Sequence, residues 1–349
     1  MKRCARCVMP ESVPGITYDE AGVCNYCMEY EPFHCLGRDE LEKVLSLQKR
    51  KDSKFDCIVP LSGGRDSTFI LYYAKAILGL KVLAVNYDNE FRIDQALENM
   101  QTACKVLDVD FISVRSKINV THKIVFNNIR SRLHDGLYGI SKFLCSACTY
   151  GYRSVVYRAA AKYRVPLIFW GETHGEATQS MEERAMHGLG LSISRRLSDI
   201  NTYKSRFYRM LQRLEFPVAG NSRFSLKPLS FNDPFTKPLR LFDYIEWDRR
   251  KLKQTITEKV GWKKPSGYVS TWRTDCLLHP FVNYCYIKMF SCSKDCFGYC
   301  NMINSNQMSR EQAMMQEEET LRIDEGFIQE LLEKEIGLSS RNTKAIMAL

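Results

Sequence analysis

The sequence predicts an α/β protein: a parallel, doubly wound sheet with an N-terminal cysteine knuckle before it and a mostly helical C-terminal region after it. Three observations carry this. Between positions 55 and 170 short apolar runs rich in β-branched and aromatic residues alternate with helix-length patterns, which is the signature of βαβ units. A pair of glycines follows the first of those runs directly, and two closely spaced cysteine pairs lie in the first 36 residues.

Residues 1–36 contain Pro10, Pro14, Gly15, Asp19, Gly22, Asn25 and Pro32 and little apolar periodicity, so the segment needs a staple to hold one shape. Cys4-x2-Cys7 and Cys24-x2-Cys27, with sixteen residues between the pairs, supply one. The spacing matches tetrahedral thiolate zinc, and four thiolates leave no open position, so the expected role is structural. Cys35 breaks the pairing and reads as a bystander. A polar amphipathic stretch at 38–53 leads to a strand at 55–61, then a helix over 66–78, a strand at 81–87, a helix over 93–107 and a strand at 110–114. Helical stretches at 119–133 and 148–163 and a strand at 166–170 complete the body. Right-handed crossovers put ligands at the C-terminal ends of such strands. Beyond 190 the pattern weakens. Arg195, Arg196, Lys204, Arg206, Arg209 and Arg213 interleave with Leu197, Ile200, Phe207, Met210 and Leu211, a basic amphipathic helix that is either a solvated face or a contact for an anionic partner. Ser309 and Gln312 make a capping box, and a last helical stretch covers 324–336.

Composition bounds the function. A 45% hydrophobic share with 26% charge over 349 residues excludes a wholly disordered or fibrous chain. No apolar run reaches the length of a membrane span, and Met1-Lys2-Arg3-Cys4 has no secretory apolar stretch behind it. The 14 cysteines are therefore read as reduced metal or redox residues of a cytoplasmic protein, not as a disulfide scaffold. Fifty basic against 40 acidic residues give a formal charge of +10, which favours nucleotides, sugar nucleotides or nucleic acid without choosing among them.

Ser62-Gly63-Gly64-Arg65-Asp66-Ser67 sits between the first strand and a helix. The glycines let the backbone turn tightly against a phosphate, and the helix start presents free N–H groups. It is not a Walker A loop. Cys145-x2-Cys148 opens a helix, where thiol pKa values fall, and an isolated Cys276 follows Trp272-Arg273-Thr274-Asp275. Spacing leaves an iron–sulfur cluster, a second zinc and reactive thiols all open. Cysteines 285, 292, 296 and 300 match no familiar fourfold site and read as buried helix residues, with metal binding as the alternative. Glu172 and His174 follow the strand at 166–170: a carboxylate there suits magnesium or proton acceptance and a histidine suits acid–base work, against the alternative of a polar loop. Lys263, Lys264 and Arg273 read either as clamps for substrate phosphates or as a solvated basic patch.

The loop resembles the S-G-G-x-D-S pyrophosphate loop of the adenine nucleotide alpha hydrolase-like superfamily, which includes GMP synthetase, asparagine synthetase and tRNA thiolases. The resemblance implies splitting of ATP into AMP and pyrophosphate, with AMP placed transiently on a substrate oxygen. It assigns Ser62, Gly63, Gly64, Asp66 and Ser67 to pyrophosphate and Mg2+, leaves Arg65 in the variable position of that cofactor-binding loop, and turns Val85 and Asn86 toward adenine; with Glu172 and His174 at the strand edge, Asp66 completes the expected catalytic residues. In pyrophosphate-loop tRNA thiolases with a zinc knuckle, a C-x-x-C after the third strand and one remote cysteine hold a [4Fe-4S] cluster; Cys145, Cys148 and Cys276 occur in that order.

Arg3-Cys4-x-x-Cys7-Val8-Met9-Pro10, Pro14-Gly15-Ile16 and Gly22-Val23-Cys24-Asn25-Tyr26-Cys27 resemble the start of the N-acetyl sugar amidotransferase family, and Asn86-Tyr87-Asp88-Asn89, Trp170-Gly171-Glu172, Ile245-Glu246-Trp247-Asp248, Gly261-Trp262-Lys263-Lys264-Pro265 and Thr274-Asp275-Cys276 extend the likeness. Only 178–225 matches nothing. This implies conversion of an acetamido group on a nucleotide-linked or nonulosonic sugar to an acetamidino group, in lipopolysaccharide or flagellin sugar synthesis, with ammonia from separate glutaminase and cyclase-like subunits. The alternative is an iron–sulfur-dependent tRNA thiolase of the same superfamily. The expected domains are a Cys4 zinc knuckle at 1–36, a pyrophosphate-loop ATP-binding domain at 37–190, and an insert with a helical substrate-contacting region at 191–349.

Overall fold

Strands β1 (Cys57–Pro60), β2 (Val82–Asp88), β3 (Asp110–Arg115), β4 (Leu167–Trp170) and β5 (Lys237–Arg240) form one sheet in the order β3-β2-β1-β4-β5. Every pairing in it is parallel. The computed structural model describes residues 1–48, 53–173, 200–215, 236–266 and 274–349. In the central strands successive residues feed opposite layers. Cys57, Val59, Val82, Ala84, Leu167 and Phe169 point into one core and Ile58, Leu83, Val85, Ile168 and Trp170 into the other, as the two-residue period of a strand demands. Both faces are buried, which is why these strands read as continuous apolar runs.

The first core is closed by α2 (Arg38–Gln48), α3 (Arg65–Tyr72), α4 (Asp94–Leu107) and α9 (Arg249–Val260). The second is closed by α5 (Val120–Arg132), α7 (Ser146–Tyr163) and Tyr208 and Leu211 of α8 (Ile200–Glu215). The parallel doubly wound sheet expected from the sequence is thus present. Its strand order reverses beside β1, which has β2 on one side and β4 on the other, so the crevice at their C-terminal ends is the topological switch point where such sheets bind ligands.

A third core joins the two ends of the chain. Cys4, Cys7, Val8, Met9, Cys24, Tyr26 and Cys27, the last two on the short helix α1 (Asn25–Met28), pack with α10 (His279–Phe290), α11 (Asp295–Asn304), α12 (Arg310–Leu321), α13 (Glu325–Glu330) and α14 (Ser340–Met347). The Ser309–Gln312 capping box is formed.

Two elements depart from the sequence reading. Helix α6 (Gly136–Leu144) precedes α7 and ends at Cys145, which caps α7. Strand β5 carries Lys237, Pro238 and Arg240 and only one buried residue, Leu239. As an edge strand it tolerates proline and needs no apolar alternation, so no pattern announces it. Among the described residues no helix is long and apolar enough to cross a membrane.

Candidate functional site

The loop between β1 and α3 is held by its neighbours as much as by its own sequence. Gly63 has φ +81°, and a Cβ there would lie 2.1 Å from Ala96 O of α4, so only glycine fits. The Gly63 carbonyl accepts from Trp262 Nε1 at 2.9 Å and from Asn99 Nδ2 at 3.3 Å. Gly64 caps α3 with φ −72°. Ser62 and Ser67 hydroxyls meet at 3.1 Å, and the Ser62 N–H points to Ser67 Oγ at 3.3 Å. The result is a helix N-terminus fronted by two hydroxyls and closely approached backbone, a geometry suited to polyphosphate.

Arg65, in the variable position of the loop, is buried. Its side chain is 1% exposed and grips Asp66 through Nε at 2.9 Å and a terminal nitrogen at 2.8 Å. Its guanidinium lies 5.0 Å from the Trp247 ring, and Trp247 Nε1 donates to Asp66 Oδ1 at 3.0 Å. Asp66 is thereby aimed with three of its acceptor positions used. Asp275 faces the same loop, its carboxylate lying about where a Cβ on Gly64 would come within 3.7 Å. Two carboxylates flanking a phosphate-accepting helix start form an all-oxygen donor set, which fits Mg2+.

Around the loop lies a cavity of about 390 Å³. Ser62, Gly64, Asp66, Ser67, Val85, Asn86, Glu172 and Asp275 line it, and so do Cys145, Cys148 and Cys276. Three segments far apart in sequence therefore open on one space. Cys145 and Cys148 come from the start of α7. Cys276 arrives because residues 274–278 dock beside the end of β2: Leu277 N donates to Phe91 O at 2.8 Å, and Arg92 and Cys276 form a bridge. Asn89 Nδ2 reaches Cys276 Sγ at 4.0 Å and also lies near Cys148.

The helix start does not lower the pKa of Cys148, contrary to the sequence expectation. Burial drives it well above the ordinary thiol value, and the neighbouring Cys145 and Cys276 add to the rise. Burial likewise pushes Cys276 up to about 12. These are thiols waiting for a positive partner rather than free nucleophiles. Their three sulfurs do not all lie within 4.8 Å of one another. A single tetrahedral zinc needs sulfurs about 3.8 Å apart, so the three as placed do not form a closed one-ion site.

The knuckle has the opposite character. The sulfurs of Cys4, Cys7, Cys24 and Cys27 all lie within 4.8 Å of one another and are buried. Cys7 and Cys24 Sγ are 3.7 Å apart, and backbone N–H groups of Cys24, Cys7 and Met9 point at Cys4 and Cys7 sulfurs at 3.1 to 3.4 Å. Such donors favour the thiolate form, so the set fits closed structural Zn2+. Arg310 of α12 donates to the carbonyls of Cys4 and Cys7 at 3.3 and 3.0 Å, which fastens the knuckle to the C-terminal helices.

The other sequence candidates fall out unevenly. Asn86 lines the cavity, but its amide is engaged by Leu61 O at 2.8 Å and Ser113 Oγ at 2.9 Å, so it shapes the wall. Glu172 is half-exposed at the mouth and pairs with Arg153 at 3.2 Å. His174 and Arg273 lie outside the described residues. Lys263 and Lys264 are exposed and do not line the cavity; Lys263 instead ties its backbone to Asn99 at 2.9 and 3.0 Å. Sequence reasoning missed Asp275, His279 and Lys294 as cavity residues. His279 is buried and its Nε2 lies 3.1 Å from Asp295 Oδ1. The only signal for Asp275 was its place beside Cys276.

No family model matches the sequence. Over 114 residues the chain is 30% identical to an uncharacterized protein of Methanocaldococcus jannaschii; the match covers 32% of this chain and 41% of that protein's length. Among solved structures, the U34-tRNA thiolase NcsA from Methanococcus maripaludis with its [4Fe-4S] cluster is similar at TM-score 0.39 and 13% identity, over 93% of this chain and 90% of that one.

Proposed function

We propose that the protein is an ATP-pyrophosphatase-type enzyme that adenylates an oxygen of its substrate and lets sulfur displace AMP. The observation that carries this reading is that Cys145, Cys148 and Cys276 line the same cavity as Ser62, Gly64, Asp66 and Ser67. The substrate oxygen attacks the α-phosphorus of ATP, and the bond to pyrophosphate breaks. The nucleophile then adds to the activated carbon, and the C–O bond breaks with the oxygen leaving on AMP. In this scheme the α3 start and the Ser62 and Ser67 hydroxyls hold the pyrophosphate, Asp66 and Asp275 face its magnesium, and Arg65 with Trp247 orients Asp66. A [4Fe-4S] cluster on the three cysteines would leave one iron without a protein ligand and so supply a place for an exogenous sulfur. A tRNA substrate agrees with the charge of +10.

A second reading rests on the likeness to N-acetyl sugar amidotransferases in residues 3–27, 170–172 and 274–276. There ammonia, delivered by partner glutaminase and cyclase-like subunits, takes the place of sulfur, and an acetamido sugar takes the place of tRNA. The two readings separate in one experiment. Anaerobically purified protein receives MgATP with either tRNA and sulfide or a UDP-linked acetamido sugar and ammonia, and pyrophosphate is followed. Release with tRNA, with loss of iron and of thiolated tRNA product in Cys145→Ala, is the expected result. Release with the sugar and ammonia, unchanged in Cys145→Ala, would overturn the sulfur-transfer reading in favour of the second.

A further inference from the structure

Outside the ATP cavity a second group of donors lies beneath the knuckle. Cys292 sits in the bend before α11, Cys296 in the first turn of α11, and Glu317 on α12. Their sulfurs and a carboxylate oxygen lie within 4.8 Å of one another, and all three residues are 0% exposed. This composition is unusual for a packed core. A fully buried carboxylate costs several kcal/mol unless it is paired. Yet among the described residues Glu317 forms no ion pair; Ser293 is its partner, donating from N at 2.7 Å and from Oγ at 2.5 Å. Burial accordingly raises the carboxyl pKa. Two sulfurs face it where valine or alanine would have filled the space without a polar atom.

We propose that Cys292, Cys296 and Glu317 bind a second structural zinc ion, separate from that of the knuckle. Two sulfurs and one carboxylate oxygen form a borderline-soft set that suits zinc rather than magnesium or calcium. Ser293 gives the carboxylate the outer hydrogen bonds that metal-bound carboxylates keep, and its Oγ also accepts from Cys296 N at 3.1 Å, which ties all three donors to one turn of chain. Cys300, one helical turn beyond Cys296, lies beside both Cys296 and Cys7 of the knuckle. Binding releases the two thiol protons and leaves Glu317 ionised, so the net charge of the site stays at −1 while the buried carboxylate gains a cation in direct contact. The ion joins the start of α11 to α12. The Arg310 that clamps the Cys4 and Cys7 carbonyls stands on α12, so the second zinc fixes the surface on which the knuckle rests.

The test is zinc stoichiometry together with X-ray absorption at the zinc edge, on full-length protein purified without chelator. Two zinc ions per chain are expected, with a mean shell holding oxygen beside sulfur. Glu317→Gln and Cys292→Ser are each expected to lower the count to one and leave an all-sulfur shell, with iron content and far-ultraviolet dichroism unchanged. One zinc per chain in the wild type, with an all-sulfur shell, overturns the proposal whether or not the variants fold. Two zincs that survive both substitutions, or one that is lost only with Cys148→Ser, also overturn it.

Discussion

Gly63→Ala tests whether the loop is shaped by its packing on α4. The substitution places a side chain at φ +81°, which costs about 1–2 kcal/mol for an L-residue. The new Cβ would stand 2.1 Å from Ala96 O and 2.8 Å from Ala96 C, backbone atoms within a helix that cannot swing aside. Relief requires the loop to leave α4, which breaks the bonds from Trp262 Nε1 and Asn99 Nδ2 to the Gly63 carbonyl, worth about 1 kcal/mol each. The total is about 3–4 kcal/mol. Gly64→Ala is the control. At φ −72° it is unstrained, and its Cβ would meet nothing nearer than Ser62 Oγ at 3.3 Å. Stability there is expected to hold within about 1 kcal/mol, while a methyl on the cavity side weakens MgATP. Urea unfolding and calorimetric MgATP titration of both variants provide the assay. Gly63→Ala within about 1 kcal/mol of wild type, with MgATP binding intact, would refute the reasoning.

Asp66→Asn keeps an acceptor for Arg65 and Trp247 but removes the charge beside a guanidinium that is 1% exposed; pyrophosphate formation is expected to fall below detection and stability to drop by about 1–3 kcal/mol, read by product assay and urea unfolding. Trp247→Phe preserves the ring over Arg65 and deletes the 3.0 Å bond to Asp66, so MgATP affinity should fall by about tenfold or less in calorimetry. Stripping zinc with a chelator is expected to speed amide exchange across α10 to α12 as well as 1–27, because they share one core; acceleration confined to 1–27 would contradict that packing. In metal-free protein, iodoacetamide labelling of Cys276 should keep rising with pH toward about 12, because the folded site favours the protonated thiol; a plateau near pH 9 would contradict the burial argument.

What the sequence made legible was local. The strand, glycine pair and helix start of the loop lie within a dozen residues, and each constrains the next. The knuckle spacing was equally self-contained. The cysteine triad was legible as a list and not as a site, because its assembly depends on Ile93 N meeting Asp275 O and Leu277 N meeting Phe91 O across more than 180 residues of chain. The same docking brings Asp275 to the loop, and no periodicity records it. Burial, which inverted the expected pKa of Cys148, is also a property of the assembled cavity. The shared core of the knuckle and the C-terminal helices was hidden for the same reason: both halves looked complete, one as a metal site and the other as amphipathic helices.

The most direct measurement is diffraction at the iron edge from an anaerobically grown crystal soaked with a non-hydrolysable ATP analogue. The account predicts nucleotide phosphates at the α3 start between Ser62 and Ser67, and an iron peak among Cys145, Cys148 and Cys276 in the same cavity. Phosphates bound elsewhere, or three cysteines free of iron beside a bound nucleotide, would contradict it.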